Sequence, residues 1–143
     1  MYLTVGEIAK RLGLNASTLR YYDKEGLLPF VERSESGIRL FKENDMGMLN
    51  MIECLKGTGM SIKDIKTFID FYDTGDDEFK NRLDIIQHQK ANVLAQMELL
   101  NYNLDMLDYK EFYYNKAKEL GSLAAVESLP KDIIPGSFHK FRQ

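Results

Sequence analysis

The sequence predicts a mainly α-helical chain in which a small β-hairpin interrupts a series of short helices and one long helix follows. Three observations carry this. Thr4 and Asn15 each head a short helical pattern, two extended runs follow Pro29, and apolar residues recur in steps of four and three from Phe79 to Leu107. With 143 residues, 44% hydrophobic and 29% charged, there is room for one or two small modules with a modest core, and a large enzyme is excluded. A formal net charge of −3 gives no global basic footprint. Residues 10–42 nevertheless hold seven cations against four carboxylates, a local net of +3.

Taken in order, Thr4-Val5-Gly6-Glu7 has the form of a capping box, with Leu3 and Ile8 spaced to close a hydrophobic staple over it. A short helix starts at Val5 and is interrupted by Gly13. Asn15 can cap a second helix, in which Leu14 and Leu19 again stand at staple spacing. Two short helices joined by about four residues form a helix-turn-helix pattern. The second helix presents Ser17, Thr18, Arg20, Tyr21 and Tyr22, side chains suited to phosphates and base edges.

Gly26 ends that helix. The extended runs 30–33 and 38–41, joined by Ser34-Glu35-Ser36-Gly37, read as a β-hairpin with Arg33 and Arg39 on its two arms. Laid along a nucleic-acid backbone, both cations would meet phosphate. A third helix is expected from about Glu43 to Lys56. A fourth runs from Ile62 to Tyr72, after the Gly57-Thr58-Gly59 break and the capping signal Ser61…Asp64. Together these elements make a winged helix-turn-helix.

After Gly75, Phe79, Leu83, Ile86, Lys90, Val93, Met97, Leu100, Leu104 and Leu107 form a heptad seam in which Lys90 alone is polar. The run is about 42 Å long at 1.5 Å per residue, more than a small domain can cover, so a coiled-coil homodimer is expected. Beyond Leu107 the heptad fails at Glu111. Tyr109, Phe112, Tyr113 and Tyr114 then gather before the helix ends near Leu120 and Gly121, as if to dock something. Pro130, Pro135 and Gly136 mark an irregular tail. The expected organisation is a DNA-binding module over 1–75, a dimerisation helix over 76–120 and a short tail over 121–143.

Thr4-Val5-Gly6-Glu7-Ile8-Ala9, Thr18-Leu19-Arg20-Tyr21-Tyr22-Asp23, Gly26-Leu27-Leu28 and Gly37-Ile38-Arg39-Leu40-Phe41 resemble the signature of the mercury-resistance-regulator (MerR) family of bacterial transcription factors. The resemblance implies a winged helix-turn-helix dimerised through an antiparallel coiled coil. It also implies binding to pseudo-palindromic double-stranded promoter DNA, and effector-linked distortion that lets RNA polymerase start. It would place Arg20, Tyr21 and Tyr22 of the recognition helix, and Arg33 and Arg39 of the wing, on DNA. Two features depart from the family pattern. Ile38 and Phe41 stand where tyrosines are usual and so lack their hydroxyls. Lys42 replaces a commoner Ser or Thr cap and can supply a phosphate contact instead. Lys63, in the stretch Gly59-Met60-Ser61-Ile62-Lys63-Asp64-Ile65, is a further expected DNA contact.

The candidate for a signal input is Cys54. A single cysteine permits no intrachain disulfide or cysteine-cluster metal site, and no cofactor is implied. The cysteine positions of the family's metal-sensing branches are absent, and the residues after Gly121 are too few for the ligand domain of its multidrug-binding branches. With Met46 at 0° and 100° per residue, the third helix's apolar arc spans about 140° to 300° and Cys54 falls near 80°, facing solvent or a partner chain. Two readings stand open. Free cysteine is commonly a packing residue. Met51-Ile52-Glu53-Cys54-Leu55-Lys56 and Tyr109-Lys110-Glu111-Phe112-Tyr113-Tyr114 resemble instead the aldehyde- and thiol-stress-responsive branch, which implies that Cys54 senses electrophiles.

Rival functions are weaker. His88 and His139 are far apart in sequence and no phosphate loop or nucleophile motif accompanies them, so the chain is not read as an enzyme. A DNA-architectural or repressor-only factor, with Cys54 merely structural, is the main alternative. The long heptad helix argues for a promoter regulator that must fix half-site spacing. Met1 lies just ahead of the first helix and no apolar run approaches about 20 residues, so a cytoplasmic chain without a membrane span is expected.

Overall fold

The structure, a computed structural model, describes residues 1–71 and 79–141. Tyr72 and Gly75, the expected helix end and linker glycine, lie outside the described residues. The chain divides into two compact units, Met1–Val93 and Leu94–Gln143.

In the first unit the order is β1 (Tyr2–Leu3), α1 (Val5–Leu12), α2 (Ala16–Lys24), β2 (Glu32–Arg33), β3 (Arg39–Lys42), α3 (Asp45–Gly57), α4 (Ile62–Asp70) and the start of α5 (Phe79–Leu120). Helix α1 begins as its sequence dictates. Glu7 N–H donates to Thr4 Oγ1 at 3.2 Å, and Thr4 N–H donates to the Glu7 carboxylate at 2.7 Å. Gly13 closes the helix in the left-handed region at φ 67°. Asn15 occupies the capping position of α2, but its side chain makes no capping bond.

The expected two-stranded hairpin is part of a three-stranded antiparallel sheet in the order β1-β3-β2, because Tyr2 and Leu3 pair with Lys42 and Phe41. Helix α3 starts at Asp45, two residues later than expected, where the Asp45 carboxylate accepts from Lys42 N–H at 2.8 Å. Ser61 caps α4 by accepting from Asp64 N–H at 3.1 Å. Ile8, Leu19, Tyr22, Leu27, Phe41, Leu49, Ile52 and Ile65 fill the centre of one core, which all of α1 to α4 and β3 enter. The first turns of α5 dock on this unit. Ile85 packs on the core, and buried Gln89 donates to the Thr58 carbonyl at 2.9 Å.

The second unit contains the rest of α5, a short helix α6 (Leu123–Glu127) capped by Ser122, and two 3₁₀ segments, Lys131–Ile133 and Gly136–Phe141. The tail, expected to be irregular, therefore carries short helical turns. It is also what the aromatic stretch docks. The Tyr109 ring lies 5.7 Å from that of Phe138 and 5.9 Å from that of Phe141, and Phe112 lies 5.7 Å from Phe138. An open cavity of about 530 Å³ adjoins this cluster, lined by Tyr113, Tyr114 and Glu127 among others.

Candidate nucleic-acid interface

Helix α2 separates its side chains cleanly by face. Leu19 and Tyr22, three apart, point into the core, whereas Ser17, Arg20, Tyr21 and Lys24 share the opposite, exposed stripe. Thr18 sits half-buried on its flank. Tyr21 is 47% exposed. Among the described residues no ion pair engages Arg20, Lys24 or Lys63. Their charges are open to an anionic partner.

Tyr22 is a correction. Expected to face DNA, it is only 1% exposed and cannot present its ring to a groove. Its hydroxyl donates to Glu53 Oε1 at 2.6 Å and accepts from Lys56 Nζ at 3.0 Å, which ties α2 to α3. Burial, then the Glu53 carboxylate, pushes the Tyr22 phenol above its ordinary pKa. The signal was present in the sequence, since Tyr22 follows Leu19 at the spacing of one helix face.

The wing cations are placed differently from a free phosphate clamp. Arg33 and Arg39 are directly opposed across β2 and β3, and both donate to Asp23 Oδ2 of α2, Arg39 through Nε at 2.6 Å. Lys42 pairs with Glu32 at 2.5 Å, and the Tyr2 hydroxyl donates to the same carboxylate at 2.9 Å. These bonds hold the Glu32 carboxyl below its ordinary pKa and lift the Lys42 ammonium above its own. In the sequence Asp23 and Glu32 are visible only as charges, because their partners Arg33, Arg39, Tyr2 and Lys42 lie 10 to 30 residues away. At the wing tip Gly37 has φ 84°, and Ser34 Oγ accepts from Ile38 N–H at 3.0 Å.

Lys63 is exposed on the first turn of α4. Cys54 is exposed on α3, off the face that buries Leu49, Ile52 and Leu55. On α5, Phe79, Leu83, Ile86, Met97, Leu100, Leu104 and Leu107 are exposed, Leu100 to 66%, and Val93 is half-buried. Leu94 and Leu99 widen the apolar stripe. The described residues bring no three metal-ligating side chains together, and no helix among them is long and apolar enough to cross a membrane.

Residues 3–71 match the family model described as MerR HTH family regulatory protein, and residues 48–109 the one described as MerR, DNA binding. An uncharacterized HTH-type transcriptional regulator of Haemophilus influenzae is 47% identical over 131 residues, 92% of this chain and 96% of that protein. The Bacillus subtilis regulator AdhR is 33% identical over 92 residues, 64% of this chain and 66% of its own. Among solved structures, HiNmlR, described as a MerR family regulator lacking the sensor domain and bound to promoter DNA, is 47% identical. The match covers 87% of this chain and 99% of that one with a TM-score of 0.71. All these relatives are named as regulators of transcription, not as enzymes. On these matches and on the winged helix-turn-helix described above, the chain belongs to the MerR family of HTH-type transcriptional regulators.

Proposed function

We propose that the chain binds promoter DNA as a homodimer and regulates transcription from it, with RNA polymerase as its protein partner. The observation that carries this reading is the division of α2, with Leu19 and Tyr22 in the core and Ser17, Arg20 and Tyr21 facing out. The likeness to HiNmlR, described as bound to promoter DNA, supports it. In this reading α2 enters the major groove, Arg20 meets base edges, and Ser17, Thr18, Tyr21 and Lys63 hold the backbone. Each guanidinium has five N–H donors, so Arg33 and Arg39 keep donors for phosphate while paired to Asp23. Lys42 adds its charge at the base of the wing. The apolar stripe from Phe79 to Leu107 seats a second copy, which sets the spacing of the two half-sites.

The signal enters at Cys54. Its sulfur bonds to an aldehyde carbon as the C=O π bond opens and the thiol proton passes to the oxygen, and the resulting hemithioacetal alters packing around α3, which Tyr22, Glu53 and Lys56 tie to the recognition helix. The distortion imposed on DNA changes more than the affinity does. Arg20→Ala should weaken binding to a duplex selected by the wild-type protein by about 1–3 kcal/mol, roughly 5- to 150-fold, in fluorescence anisotropy at fixed salt. Unchanged binding removes α2 as the reading helix. Cys54→Ala should keep its thermal stability and DNA binding, yet leave a reporter silent to formaldehyde or methylglyoxal. A full response in that variant makes Cys54 structural and favours the architectural or repressor-only alternative.

A further inference from the structure

The wing is a weak element by itself. Strand β2 has two residues, and its ladder to β3 consists of Glu32 opposite Leu40 and Arg33 opposite Arg39. Two like charges directly opposed on a ladder repel, and outward of the β1 pairing at Phe41 and Lys42 the wing is held by a two-residue ladder alone. The repulsion is answered by one carboxylate from another element. Asp23, its side chain only 16% exposed, projects from the recognition helix and receives both guanidiniums on a single oxygen, Oδ2. Arg39 is three-quarters buried in this contact, and Arg33 reaches on through Nη1 to the Gly37 carbonyl at 3.1 Å. The tip of the wing, its two arms and α2 are thereby joined through one acidic side chain. Asp23 lies three residues after Arg20, on the flank of the exposed stripe, so the clamp fixes where the wing stands relative to the side chains that would read bases.

We infer that Asp23 is a positioning residue that sets DNA specificity, by locking the wing to the recognition helix and by cancelling one of the wing's two arginine charges. The inference rests on the proposed DNA binding and adds to it. A wing held at one distance and angle from α2 meets phosphate only where the duplex seated on α2 brings its backbone there. A released wing would find phosphate on any duplex, because backbone attraction carries no sequence information. Asp23 therefore lowers affinity for DNA in general and preserves it for the site that fits.

The test compares the full-length wild-type protein and D23N on two probes, a duplex the wild type selects from a random-sequence library and the unselected library itself, over a range of salt. Circular dichroism and melting establish folding. For D23N we expect tighter binding to the unselected library, a steeper salt dependence by about one phosphate contact, and a selected-to-unselected ratio lowered about fivefold or more. D23E, which keeps the carboxylate, should recover most of the ratio. The double variant D23N/R39Q restores the wild-type net charge without the clamp, so its salt dependence should return while its ratio stays low. If D23N does not fold, R33Q replaces it; this variant frees the β2 arm but also removes one cation, so the ratio should fall without tighter binding to the unselected library. An unchanged ratio in the folded variant, or one restored in D23N/R39Q, overturns the inference. A wild-type protein that selects no duplex defeats the DNA-binding reading instead, and the two failures are thus distinct.

Discussion

Glu32 shows how much one side chain organises at the edge of the sheet. It accepts from Lys42 and from the Tyr2 hydroxyl, and so joins β1, β2 and β3, the three strands that meet around Phe41. The bond from Lys42, then that from Tyr2, depresses its carboxyl below the ordinary 4.5. A group whose folded pKa is depressed stabilises the fold above its unfolded value, and that contribution is lost as pH falls through the folded one. The network should therefore come apart as pH falls below the ordinary carboxylate range. A carboxyl titration followed by NMR checks this; Lys42→Met should return Glu32 towards its ordinary value by more than Tyr2→Phe does, and the opposite order would mean that the phenol is the main partner. Residues of this kind were half legible. The sequence displays opposite charges at Glu32 and Lys42 but not the register that brings them together. Asp23 is harder still, since its partners lie 10 and 16 residues away on two other elements, β2 and β3. Tyr22, by contrast, could have been placed by its spacing from Leu19; its aromatic neighbour Tyr21 and the family resemblance drew it to the wrong face.

Elements whose ends are set by local chemistry were the easiest to read. The capping box at Thr4, the Ser61 cap and the glycine stops each involve atoms within four residues, so the sequence window contains the whole interaction. Strand β1 was missed because it is two residues long and exists only through pairing with Phe41 and Lys42, about 40 positions on. The late start of α3 is local by contrast: no side chain caps the helix at Asn44, and the Asp45 carboxylate accepts from the Lys42 amide three residues back. Glycine ends can be tested in pairs. Gly13 and Gly26 both sit at positive φ, 67° and 79°, so a side chain at either is strained by about 1–2 kcal/mol. A Cβ on Gly13 would meet nothing, whereas one on Gly26 would lie 2.8 Å from Lys66 Cε. That atom is the far end of a flexible chain and can move. Urea unfolding should then show Gly13→Ala and Gly26→Ala losing similar amounts, about 1–2 kcal/mol each. A much larger loss at Gly26 would show that Lys66 is held in place.

At the scale of the whole molecule the heptad stripe decides whether one chain is a finished unit. The long helix was legible, because a helix of 42 residues leaves its periodicity in the sequence regardless of what it packs against. Its partner was not, since an apolar stripe states only that something covers it. Leu100, Leu104 and Leu107 are each more than half exposed, next to Leu99 and Met97 in the same state, an arrangement that a soluble helix tolerates poorly without a covering surface. If a second copy is the cover, burial of these side chains contributes only in the dimer, and folding becomes linked to association by mass action. The melting temperature should then rise with protein concentration, and sedimentation at micromolar concentration should give twice the 16.6 kDa chain mass. Charged residues at Leu100 and Leu104 should produce a monomer whose melting no longer depends on concentration. The first unit carries its own core from α1 to α4, so this monomer should keep the winged module folded and lose chiefly its affinity for two-half-site DNA. A wild-type protein that sediments as a monomer and melts at one temperature across a hundredfold range of concentration would reject the second copy as the cover, and with it the spacing of half-sites through α5.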